Sequence, residues 1–226
     1  MGDGAYFRTI KPYESTLNLK GLALHETSNP DASHEAQTTT GIDHRKILIW
    51  SFLGSECLFF GSLISTYLIY FGKSLVGPYP VDVFDILVTS TSTFVLLMSS
   101  LMMVLAYNSI SHGDLLRFRV WILCTAALGA TFLGFQVFEF YDFAEHGLTP
   151  RTNLFGSSFF TLTGFHGAHV TVGVIWLLSL FGYSFKGNLA QDHGLNVDLA
   201  ALYWHFVDVV WIVIFTVIYL IGVVGV

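Results

Sequence analysis

Six titratable side chains fall well inside the most apolar runs of this sequence: Glu56, Glu139, His166, His169, His205 and Asp208. Carboxylates and imidazoles placed where water is scarce can exchange protons, bind a metal ion or satisfy one another by hydrogen bonds. An aspartate in the middle of an apolar helix costs about 2.5 to 3.5 kcal/mol on membrane-insertion scales, so Asp208 needs a partner or a task. His205 precedes it at i, i+3, a spacing that lets the two meet on one helix face. Glu56 has no basic residue within a helical turn, which points to a proton site or a lipid contact. His166-x-x-His169 supplies two ligands where a metal site takes three or four. With Gly164, Gly167 and Ala168 beside it, that pair reads as buried and hydrogen-bonded at a close helix contact. Gln136 and Glu139 stand near the end of their run, where interfacial solvation accounts for them. Together with Trp204 and Trp211 they are expected at lipid or interface contacts. No catalytic residue and no metal ligand is assigned.

The elements that must carry these residues are helices in a bilayer. The 226 residues are 53% hydrophobic and 12% charged, with a mean hydropathy of +0.62, a balance that excludes a water-soluble domain. The net charge of -6, from sixteen acidic and ten basic residues, lies largely in the N-terminal tail and loops and points to no nucleic-acid partner. Cys57 and Cys124 lie in apolar runs and read as small buried hydrophobes, not as a disulfide. Residues 1–46 form a polar tail, expected to be largely disordered and lacking signal-peptide features. Its His25, His34 and His44 are too widely spaced to read as a metal site.

Residues 47–226 hold five apolar spans: Ile47 to Phe71, Asp85 to Tyr107, Val120 to Phe143, Phe155 to Phe181 and Ala200 to Val226. Each has about 23 to 27 residues, roughly 35 to 40 Å as helix, enough to cross a ~30 Å hydrocarbon core with tilt. Helix breakers fill the connections: Gly72, Gly77-Pro78, Ser111-His112-Gly113-Asp114, Gly147 to Pro150 and Gly182 to Asn196. The fold expected is therefore all-α, an integral membrane bundle of five transmembrane helices with no strand pattern and no internal repeat. Eight Lys and Arg residues fall in the tail and the second and fourth loops, against Lys73 and Arg151 in the first and third, which puts the N-terminus inside and the C-terminus outside.

In that orientation Glu56 and Asp208 lie at similar depth, about nine and eight residues from the inner ends of their helices, with His169 slightly deeper and His205 slightly shallower. A polar layer of these four in the inner half of the bundle follows. Helical angles put Trp204, His205, Asp208 and Trp211 in one arc, and His166, His169, Gly173 and Trp176 in another. Ser51, Ser55, Glu56, Ser62 and Thr66 share one side of the first helix. These faces are expected to point into protein. A proton-coupled transporter would use such groups, but five spans do not divide into equal halves and no interrupted helices are seen. A membrane di-iron enzyme would need several histidine clusters near one face. An accessory subunit packed against a redox partner needs only what is present.

Four stretches carry a family resemblance: Gly54-Ser55-Glu56-Cys57-Leu58-Phe59-Phe60, Phe155-Gly156-Ser157-Ser158-Phe159-Phe160, Thr163-Gly164-Phe165-His166-Gly167-Ala168-His169-Val170 and Tyr203-Trp204-His205-Phe206-Val207-Asp208-Val209-Val210-Trp211. In this order the chain resembles subunit III of the haem-copper oxidases, in its five-helix bacterial form, with weaker agreement at Gln136-x-x-Glu139-Phe140-Tyr141 and Thr89-Ser90. The resemblance implies an accessory subunit in a bacterial cytoplasmic membrane with no redox centre of its own. Haems and copper would reside in partner subunits, the partners being catalytic subunit I, subunit II and a small subunit IV. It implies structural phospholipid in a cleft, and Glu56 within a buried hydrogen-bond cluster, with His166, His169, His205 and Asp208 at the matched polar positions. The roles it implies are fast proton uptake, protection of the catalytic subunit during turnover, and oxygen access through lipid. The seven-helix family pattern has two further helices before the first span, where this chain has its polar tail, so the cleft would be completed by another subunit or be absent. Five-helix relatives serve both cytochrome c and quinol oxidases, as well as relatives associated with nitric-oxide reductases, and the motifs do not fix the donor.

Overall fold

The computed structural model describes residues 43–73, 86–185 and 194–221. Within them run five long helices: α1, His44–Tyr70; α2, Ile86–Ser111; α3, Leu115–Glu145; α4, Leu154–Ser184; and α5, Gly194–Phe215, continued by a wider π-helical turn over Thr216–Ile221. All five are long and apolar enough to cross a membrane, and no strand occurs among the described residues. The expected tail up to residue 42, the Gly77-Pro78 connection and the C-terminal five residues lie outside the described residues.

Most helices run past their apolar spans because polar caps extend them. Asp43 accepts a hydrogen bond from the Arg45 amide at 2.8 Å, which starts α1 three residues before the apolar run. Asp114 does the same for α3 through the Arg117 amide at 3.1 Å, and its other carboxylate oxygen pairs with the Arg117 side chain. Asn153 caps α4 through the Gly156 amide at 2.6 Å. Two glycines with left-handed backbone, Gly113 (φ 75°) and Gly147 (φ 83°), end α2 and α3. In both turns the next amide reaches back five residues, Asp114 to the Ser109 carbonyl and Leu148 to the Phe143 carbonyl. The last carbonyls of α4 are met by Arg119 from α3, which donates to Ser184 O at 2.6 Å and to Ser184 Oγ at 3.0 Å. A cation there also suits the negative end of the helix dipole.

α2 and α3 form the tightest antiparallel pair, α4 follows against α3, and α5 lies against α2, α4 and α1. The seam of α2 is small and hydroxylated: Thr89, Ser92, Thr93, Leu96, Ser99, Met103 and Ala106 are all buried. In lipid there is no hydrophobic drive to bring helices together, so close backbone approach and interhelical hydrogen bonds do this work. The centre of the bundle is Trp204. A Cβ on Gly129 of α3 would stand 2.5 Å from its indole, and one on Gly173 of α4 would stand 2.9 Å from it, so both glycines are required by that ring.

Edge helix α1 buries only Ile49, Leu53, Phe60 and Tyr67, against α4 and α5. Its serine face does not point into protein as expected: Ser51, Ser55, Ser62 and Thr66 are exposed. The reason is local, because Ser55, Ser62 and Thr66 donate to their own helix carbonyls, at 2.7, 2.7 and 2.8 Å, and so need no partner from outside. Cys57, expected buried, is likewise exposed, while Cys124 is half-buried.

Candidate functional site

α1 contributes Glu56 and α4 contributes His169, and the structure brings them together. Glu56 Oε2 lies 3.2 Å from His169 Nε2, with side chains 17% and 18% exposed. The other imidazole nitrogen, Nδ1, is 2.7 Å from the Phe165 carbonyl, which can only accept, so Nδ1 carries a hydrogen. The remaining contact is close but is not a hydrogen bond: Glu56 Oε2 is a buried oxygen with no hydrogen-bond partner among the described residues. An acid and an imidazole held 3.2 Å apart make an acid–base pair in a region where ionisable groups are costly without a partner or a task.

α5 supports the pair from below. Tyr203 donates its hydroxyl hydrogen to the His169 carbonyl at 3.0 Å, and Phe60 packs edge-on against the His169 ring at a centroid distance of 5.0 Å. Glu56 and His169 form one wall of an open cleft of about 380 Å³ lined also by Ile49, Phe52, Ala168, Val172, Trp176 and Tyr203. A second cleft of about 220 Å³ lies further along the same two helices, lined by Leu63, Thr66 and Tyr70 of α1 and by Leu154, Ser157, Ser158 and Thr161 of α4. The spacing of these residues puts both clefts on one side of the α1–α4 seam. Between them Phe59 and Phe165 meet edge to face at 5.2 Å. The seam is thus a groove pinched by two rings, with the Glu56–His169 pair on one side of the pinch and the hydroxyls of Thr66, Ser157, Ser158 and Thr161 on the other.

His205 and Asp208 share the depth of Glu56 but not its neighbourhood. They turn to the opposite side of α5, onto α2, where Ser100 Oγ lies 2.7 Å from Asp208 Oδ2 and 3.3 Å from His205 Nδ1. The expected polar layer is therefore two sites, one between α1 and α4 and one between α2 and α5. His166 belongs to neither. It is fully buried, stacked on Trp211 at 4.9 Å and edged by Phe60 and Phe132, and neither ring nitrogen has a partner among the described residues. Of the two histidines, then, only His169 is hydrogen-bonded. The described residues hold no cluster of three or more metal-ligating side chains.

The residues expected at lipid or interface contacts are placed inside the bundle instead. Trp204 and Trp211 are each 1% exposed, Gln136 is 6% and Glu139 is 7%. Each has a polar partner on another helix: Trp204 Nε1 donates to Ser99 Oγ and Trp211 Nε1 to Thr93 Oγ1, both at 3.0 Å, and Gln136 donates to the Thr163 carbonyl at 2.7 Å. Thr89 donates to the Glu139 carboxylate, so interfacial solvation is not what accommodates that acid. Gly167 makes room for Gln136, since a Cβ there would lie 2.5 Å from the amide oxygen. Beside Thr89, the partners not singled out from the sequence are the α2 hydroxyls Thr93, Ser99 and Ser100. Thr93 stands four residues after Thr89 and Ser100 seven after Thr93, a helical spacing of hydroxyls along an otherwise apolar helix.

Comparison with known proteins agrees with this arrangement. The family model described as cytochrome c oxidase subunit III matches residues 23–223. Cytochrome c oxidase subunit 3 of Bacillus sp. (strain PS3) is 39% identical over 86% of this chain and 94% of its own length. Quinol oxidase subunit 3 of Bacillus spizizenii is 36% identical over 88% of this chain and 98% of its own. Cytochrome bo(3) ubiquinol oxidase subunit 3 of Pseudomonas aeruginosa is 35% identical over 92% and 98%. With five membrane-length helices and a family match that spans all of them, the chain belongs to the cytochrome c oxidase subunit III family.

Proposed function

We propose that this chain is a non-catalytic accessory subunit of a bacterial haem-copper oxidase, set in the cytoplasmic membrane with its N-terminus inside. The haems and copper belong to the neighbouring catalytic subunit I and to subunit II, a small subunit IV completes the complex, and this chain supports proton uptake and the durability of subunit I during oxygen reduction. The observation that carries this reading is the Glu56–His169 acid–base pair in the wall of a cleft between α1 and α4. Such a pair can take up and release a proton near the inner side, and the largely apolar lining around it suits the acyl chains of a phospholipid. The polar tail ahead of α1, which begins at His44, is read as a segment outside the five-helix domain.

Relatives named cytochrome c oxidase and relatives named quinol oxidase both match this chain, so both donors fit this reading. Turnover of the purified complex with reduced cytochrome c or with quinol decides between them. The accessory role is tested by comparing the complex with and without this chain. Retained initial oxygen reduction with a shortened catalytic lifetime is the expected result, and immediate loss of all oxygen reduction and haem absorbance would contradict it.

A further inference from the structure

We propose that Asp208, Ser100 and His205 form a one-proton site, in which the serine hydroxyl passes a proton between the carboxylate and the imidazole. Ser100 bridges the other two, with Oγ 2.7 Å from Asp208 Oδ2 and 3.3 Å from His205 Nδ1. It differs from Ser92, Thr93, Ser99 and Ser109 of the same helix, whose hydroxyls donate to α2's own carbonyls. A hydroxyl has one hydrogen and two lone pairs, so the bridge has two directions. In one, His205 is an imidazolium whose Nδ1–H donates to Ser100, and Ser100 donates to an ionised Asp208. In the other, Asp208 is protonated on Oδ2 and donates to Ser100, which donates to the Nδ1 lone pair of a neutral imidazole that keeps its hydrogen on Nε2. To pass between them, the Nδ1–H bond breaks as an O–H bond forms on Oγ, and the original serine O–H breaks as one forms on Oδ2. Serine is regenerated, one proton has crossed, no electron has moved, and the charge of the three residues together is unchanged.

The surroundings make the second direction useful. Asp208 is 5% exposed, and its Oδ1 has no partner among the described residues, so a permanent anion would leave one oxygen bare in the interior. His205 is half-buried and is the more accessible end of the bridge. Among the described residues, the other titratable groups on the elements packed on α5 are engaged elsewhere or set apart. Within its described span α2 has no charged residue; α3 carries Glu139, which accepts from Thr89; α4 presents His166 behind Trp211, and His169, which is paired with Glu56 of α1. Lys46 of α1 is engaged by Asp198 at 2.7 Å near the inner end. The site is separate from the Glu56 pair and stands whichever donor serves the complex.

Infrared pH-difference spectra of the native complex carrying Glu56→Gln, which silences the other pair's carboxyl, test the assignment. We expect a protonated-carboxyl C=O band that Asp208→Asn removes. Ser100→Ala is expected to move the midpoint of that band by one pH unit or more, a tenfold change in proton affinity, and Ser100→Thr, which keeps the hydroxyl, to restore it. Where Ser100→Ala does not assemble, Ser100→Cys gives the same comparison with a weak donor of similar size. No band sensitive to Asp208→Asn, or an unchanged midpoint in the hydroxyl-lacking variant, overturns the proposal.

Discussion

The Phe165 carbonyl holds a hydrogen on His169 Nδ1 and leaves Nε2 facing Glu56 Oε2 at 3.2 Å, a base beside an acid. Glu56→Gln replaces that acid with an amide of similar shape that cannot exchange a proton. The complex is therefore expected to assemble at normal yield but to inactivate after fewer turnovers, measured as oxygen consumed per complex before loss of activity. An unchanged count would reduce Glu56 to a structural residue. His169→Gln removes the other half of the same contact, so the double variant is expected to lose no more lifetime than the worse single one; additive losses would show two independent roles. Depth is legible by counting at ~1.5 Å per residue, whereas the rotation of each helix about its axis is set by packing against neighbours. The sequence therefore puts Glu56 and His169 at nearly the same level but does not reveal that His205 and Asp208 turn toward Ser100.

Among the elements, α2, α3, α4 and α5 meet around Trp204, and the fit is set by two glycines on different helices. Gly173→Val forces a branched side chain into the indole, an overpacking that costs about 1 to 3 kcal/mol. The expected outcome is a lowered melting temperature of the complex by differential scanning fluorimetry, while Gly164→Ala, where an added Cβ meets nothing within 4 Å, leaves it unchanged. Equal effects would mean that the Trp204 slot is not the constraint. Ser99→Ala leaves the Trp204 N–H without its acceptor and is expected to cost about 1 to 3 kcal/mol, with melting again the measurement. The helices themselves were legible in apolar runs and breakers, with ends displaced by caps such as Asp43, Asp114 and Asn153. The exposed serine face of α1 was not legible. A serine in an apolar helix reads as needing a partner, yet the carbonyl one turn back supplies it. The same reasoning failed in reverse for Trp204 and Trp211, whose indoles find hydroxyls on α2 instead of the membrane interface.

The whole molecule carries two polar clusters, Glu56 with His169 and Ser100 with His205 and Asp208, set apart across a packed aromatic centre, and a groove between α1 and α4. The N-inside, C-outside topology is expected to place a C-terminal alkaline phosphatase fusion on the active, outer side and an N-terminal fusion on the inactive side. The reverse pattern would invert the depth assignments and put Glu56 in the outer half. The most direct measurement of the central claim is the reduced-minus-oxidised spectrum and subunit composition of the material that co-purifies with this chain, tagged at its terminus, from its native membrane. The account predicts a haem-copper subunit in stoichiometric amount, with haem absorbance that stays with that subunit when this chain is stripped away. Isolation of the chain without any haem protein, or haem absorbance that remains with the stripped chain, would contradict it.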